Sequence, residues 1–78
     1  MKVYIITQRW WLDTDCSTQT DADVFRTEKQ ARDFAKKMIE DFKNCIEGWR
    51  IEEEGDTTII ENDNSEWLEV TFEEKELQ

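Results

Sequence analysis

Only one stretch of this chain repeats its apolar residues with the period of a helix. That restricts the fold more than any other feature. Ala31, Phe34, Ala35, Met38, Ile39, Phe42, Cys45 and Ile46 recur at steps of three and four, which lays a single apolar stripe along about four helical turns. Thr27-Glu28-Lys29-Gln30 precedes it with capping-box spacing. The Thr hydroxyl accepts from an amide of the first turn, and Gln30 reaches back to the cap. Gly48 is placed to stop the helix as a left-handed residue. One amphipathic helix cannot bury its stripe alone, so the rest of the chain must supply the opposing layer.

The remaining segments read as strands. Residues 2–12 are rich in β-branched and aromatic types. Alternation separates Val3, Ile5, Thr7, Arg9 and Trp11 from Tyr4, Ile6, Gln8, Trp10 and Leu12. Both sets begin apolar, which marks a central strand. Residues 13–23 are polar and without period, and read as a loop. Residues 49–54 read as a second strand, with Trp49 and Ile51 on one side and Arg50, Glu52 and Glu54 on the other. Gly55-Asp56 is a tight-turn signal, and Thr57 to Glu61 is a third strand. Asn62-Asp63-Asn64-Ser65 has turn composition. Residues 66–73 form a fourth strand, with Leu68, Val70 and Phe72 opposite Trp67, Glu69, Thr71 and Glu73.

The expected fold class is therefore α+β: a two-layer sandwich of order β-α-β-β-β in one domain, an antiparallel sheet of about four strands with the helix on one face. The helix stripe, one parity of the first strand, Trp49, Ile51, Leu68, Val70 and Phe72 should form the core. The other sheet face should be open and carry Glu52, Glu54, Glu69 and Glu73 with Trp67.

Charge narrows the function classes. The chain has 20 acidic and 10 basic side chains, net −10. Residues 1–46 nearly balance, whereas residues 47–78 set twelve carboxylates against Arg50 and Lys75. A field of this sign repels nucleic acid and anionic membrane and attracts basic protein surfaces. Carboxylates two residues apart on a strand lie roughly 6.7 Å apart, and neighbouring strands add rows about 4.8 Å away. A groove that neutralises phosphates with Lys and Arg would accept such an array and release counterions in the same way. The plain alternative is a sheet face charged only for solubility. The basic residues of the helix point to no nucleic acid: Glu28–Arg32, Lys29–Asp33, Asp33–Lys37, Lys36–Glu40 and Lys37–Asp41 are i,i+4 pairs of a solvated face.

Catalytic and metal chemistry find no support in the sequence. Without histidine there is no Ser-His or Cys-His pair, and two glycines cannot make a phosphate-binding loop. Asp13, Asp15 and Ser17 begin like a calcium loop, but Thr18 stands where its glycine belongs and Val24 where its glutamate belongs. Cys16 and Cys45 cannot build a zinc site alone. Cys45, on the stripe, is expected as a small buried hydrophobe, and Cys16 as a free thiol in a polar loop. Only four apolar residues follow Lys2 before Thr7, Gln8 and Arg9, too few for a signal or a span. A reducing, cytoplasmic setting and no disulfide are the expectation.

Val3-Tyr4-Ile5-Ile6-Thr7, Val24-Phe25-Arg26-Thr27 with Ala31, and the tryptophan strand opening at Trp49 together resemble the small acidic β-α-β-β proteins carried by bacteriophages and mobile elements. Some of these are anti-CRISPR or other anti-defence inhibitors, and several of those mimic nucleic acid. The resemblance implies a non-enzymatic inhibitor without cofactor or metal, acting in the bacterial cytoplasm. Its partner would be a basic nucleic-acid-binding protein such as a CRISPR effector or nuclease. Glu52, Glu54, Glu69 and Glu73 would then stand in for phosphates, with Trp67 as the apolar anchor. The rival expectation is a self-associating structural or adaptor protein, a homodimer through the tryptophan surface, whose charge only keeps it soluble.

Overall fold

A computed structural model describes residues 1–13 and 18–77. The elements are β1 (Lys2–Trp11), β2 (Thr18–Phe25), α1 (Glu28–Lys43), β3 (Arg50–Glu54), β4 (Thr57–Glu61) and β5 (Trp67–Glu76). The fold is α+β, with one helix on an antiparallel five-stranded sheet of order β2-β1-β5-β4-β3. β1 and β5 pair along their full ten-residue lengths, from Lys2↔Glu76 to Trp11↔Trp67. β1 is central, as its two apolar parities require.

The extra strand is β2, which takes up residues 18–23 of the loop expected at 13–23. Its polar residues hide it. Of its inward-facing residues only Phe25 is apolar, packing on Phe34 of α1 with ring centroids 5.0 Å apart. The rest of β2 is held by backbone pairing with β1. Thr18, Thr20 and Val24 are β-branched at period two, so strand propensity survives where hydrophobic alternation is absent. Cys16, Asp15 and Ser17 lie outside the described residues.

Thr27 caps α1 as expected: its backbone is extended and its Oγ1 accepts from the Gln30 amide at 3.1 Å. The helix ends sooner than the stripe. The Asn44 amide is shared between the carbonyls of Glu40 (3.3 Å) and Asp41 (3.2 Å), and Cys45 N donates to Phe42 O at 2.9 Å. Beyond Lys43 the helical spacing no longer applies. Ile46 is buried through the loop, whereas Cys45 turns out as an exposed free thiol and not a buried hydrophobe. Gly48 does take a left-handed φ of 67°, but within the loop.

The core joins Ile6, Ile60, Leu68 and Val70 of the sheet to Ala31, Phe42 and Ile46, with Tyr4, Trp10, Leu12 and Phe72 packed around them. The inward parity of β1 is thus that of Tyr4. Trp49 and Ile51, expected in the core, are 40% and 43% exposed. α1 packs on β5, β1 and β2, and every residue of β3 is exposed. The Lys43 ammonium lies 4.6 Å from the Trp49 ring centre.

The two hairpin turns fit their residues. Gly55 has φ +58° and Asp56 does not share its sign, the pattern of a type II′ turn with glycine first. Between β4 and β5 the Asn62 side chain forms the turn itself, accepting from Asn64 N at 3.1 Å and Glu66 N at 3.0 Å. That lets Ser65 take φ +65°.

Candidate functional site

Directly paired residues of antiparallel strands share a face, so the register assigns the bare side of the sheet. One row runs Thr20–Arg9–Glu69–Ile59–Glu52 across β2, β1, β5, β4 and β3. The next runs Ala22–Thr7–Thr71–Thr57–Glu54. Thr18–Trp11–Trp67–Glu61–Arg50 borders them at one end and Val24–Ile5–Glu73 at the other. Glu52, Glu54, Glu69, Glu73 and Trp67 therefore emerge together, on the face away from α1.

They do not form an unbroken acidic array. Glu52 and Glu69 lie two strands apart, about 9.6 Å, with Ile59 between them. Glu54 is separated from β5 by Thr57, whose Oγ1 lies 3.3 Å from Thr71 Oγ1. Cations intervene as well. Arg9 sits opposite Glu69, with its guanidinium 6.0 Å from the Trp67 ring centre. Arg50 binds Asp63 at 2.6 Å and approaches Glu61 at 3.9 Å. The hydrogen bond and charge of Asp63 hold the Arg50 pKa above its ordinary value. Acidity also spills to the other side: Glu53 faces the helix layer, and Glu74 and Glu76 bind Lys2 and the N-terminus at 3.3 and 3.4 Å. The Glu74 hydrogen bond, ahead of its charge, raises Lys2 in turn.

The middle of the face is polar, Arg9 and Glu69 beside Thr7 and Thr71, and its apolar groups lie toward the ends. Trp11 and Trp67 are cross-strand partners at one end, each half-buried. Ile5 and Val24 lie at the other, Val24 at 64% exposed, and Ile59 stands between Glu69 and Glu52. Period two alone assigns the glutamates and Trp67. Arg9 and the choice of Trp11 over Trp10 depend on the β1–β5 register, and Ile59 on the registers of β4 with its neighbours, which no local signal carries.

The helix cations behave as a solvated face, in part by other pairings than expected. Glu28–Arg32 (3.1 Å) and Lys29–Asp33 (2.7 Å) form as i,i+4 pairs, whereas Lys43 pairs Glu40 one turn back at 3.2 Å. Arg32 also lies over Phe72, 4.1 Å from its ring centre. Among the described residues no group of three or more His, Cys, Asp or Glu is arranged to hold a metal ion. No helix is long and apolar enough to cross a membrane. Comparison with family models, curated proteins and solved structures gives no match.

Proposed function

We propose that this chain is a non-catalytic binding protein that docks its bare sheet face on a basic surface of a nucleic-acid-binding protein and so excludes nucleic acid from it. A CRISPR effector or related nuclease in the bacterial cytoplasm is the partner class the sequence resemblance favours. The observation that supports the reading is the emergence of Glu52, Glu54, Glu69 and Glu73 around Trp67 on the face that α1 leaves bare. In this reading the carboxylates steer the approach and set orientation. The half-buried Trp11–Trp67 pair, at one end of the face, supplies the apolar anchor. Apolar groups set among mixed charges suit a protein surface more than they reproduce a phosphate array. The test is competition: nucleic acid bound to an immobilised effector should be displaced by this chain, less so as salt rises.

A specific observation favours a second reading. Val24, Ile5, Ile59 and the tryptophan pair leave apolar surface uncovered, and a second copy could cover it. Mass in solution separates the two. A dimer that Trp67→Ala converts to monomer supports self-association, and a monomer at all concentrations supports the docking reading.

A further inference from the structure

A groove of about 370 Å³ runs between α1 and the outer edge of the sheet, on the face opposite the docking surface. Its floor is apolar: Ala35, Ile39, Ile51, Val70 and Phe72. It exists because α1 packs over β5, β1 and β2 and stops short of β3. β3 pairs only with β4, and its other edge is free among the described residues. Every residue of β3 is exposed. Glu52, Glu53 and Glu54 form no ion pair among the described residues.

We infer that this groove and edge accept an extended segment of a partner protein as a sixth strand, alternating apolar and basic side chains. The backbone of β3 supplies the ladder, and alternate side chains are read on the two faces. On the groove side the incoming residues meet Ile51 and Glu53 of β3 and Ile39 of α1, with Arg32, Lys36 and Lys43 along the helix wall. Glu40, Glu53 and Asp56 balance those cations within the same lining, so the groove selects by its apolar floor and favours apolar side chains. On the other side the incoming residues lie beside Glu52 and Glu54, which attract Lys and Arg. A second copy is the wrong occupant. β3 against β3 sets glutamates against glutamates, and β2, the other edge, carries Asp21 and Asp23. This inference shares Glu52 and Glu54 with the bare-face reading but rests on the β3 edge and the groove, so it stands if docking through Trp67 and Glu69 fails.

The probe is a short end-blocked peptide alternating Val and Lys, followed by amide NMR and titrated affinity. Two controls accompany it: a peptide of the same composition in separate Val and Lys blocks, and one alternating Val and Glu. The alternating Val–Lys peptide should bind about tenfold tighter than the block peptide, a difference a few cross-strand pairs supply. It should protect the outward-facing amides of β3 and shift residues 35–43 of α1. Glu52→Lys with Glu54→Lys, both exposed, should transfer the preference to the Val–Glu peptide. Equal binding of alternating and block peptides would overturn the inference, since charge alone would then explain it. Shifts centred on Trp11 and Trp67 in place of β3 would overturn it too, and would support the bare-face reading instead.

Discussion

Asn62 and Glu66 bind each other three times. Asn62 N donates to Glu66 O at 3.1 Å, Glu66 N donates to Asn62 Oδ1 at 3.0 Å, and Asn62 Nδ2 donates to Glu66 Oε1 at 3.1 Å. The same amide group donates to Glu47 O at 3.2 Å, and Glu66 Oε2 accepts from Asp13 N at 3.3 Å. One 5%-exposed side chain thus ties the β4–β5 turn to the post-helix loop, and through Glu66 to the end of β1.

Asn62→Ala should cost about 1–3 kcal/mol, because it strands buried partners without water. In a domain of this size each 1 kcal/mol lowers Tm by roughly 4–8 °C. Asn62→Asp should cost more, since it replaces a donor facing Glu47 O and Glu66 with a like charge. Thermal unfolding followed by circular dichroism checks both. Equal stability of the two variants and the wild type would mean the turn holds by itself.

The apolar stripe makes two contrasting predictions. Phe42 is 7% exposed, so Phe42→Ala should cost roughly 3–5 kcal/mol and leave little folded protein, given what so small a core supplies. Cys45→Ser, three residues on, should change stability by under about 0.5 kcal/mol because the thiol is at the surface. Denaturant titration of the pair distinguishes a helix ending at Lys43 from one continuing through Ile46.

Much of this architecture could be read locally. The Thr27 cap, the stripe from Ala31 to Phe42 and the Gly55-Asp56 turn are each decided within a few residues, and each stands where its local chemistry places it. β2 escaped because an edge strand can be held by backbone pairing with one apolar inward residue, Phe25. Trp49 and Ile51 look like core by alternation but lie beyond the reach of the helix, a matter of helix length and placement. The glutamates share a face by period two. Their dilution by Arg9 depends on pairing residues 60 positions apart and that by Ile59 on the registers of β3–β4 and β4–β5, and the hydrophobic pattern of one strand alone does not specify a register.

Stability should rise with moderate salt. Among the described residues the ion pairs join exposed groups, apart from the half-buried Lys43, and contribute little each, while a net −10 charge repels itself. The Debye length falls from about 30 Å at 0.01 M to about 10 Å at 0.1 M. Tm measured across that range in sodium chloride should increase. A falling Tm would mean the surface pairs outweigh the repulsion, and the field that steers a basic partner would be weaker than its net charge implies.

The bare sheet face is tested by one binding measurement, using Glu69→Lys with Glu73→Lys, a pair that leaves β3 and the groove untouched. Both side chains point away from the core of Leu68, Val70 and Phe72, so the fold should persist. A panel of immobilised bacterial CRISPR effectors and nucleases provides the basic surfaces. At least one should retain the wild-type chain at 0.15 M salt and release it when its own nucleic acid is added. For that partner the variant should bind at least about tenfold more weakly, since repulsion replaces steering and alignment. Retention of the wild type and the variant alike, or a complex in which nucleic acid and this chain remain bound together, would contradict docking through the bare face.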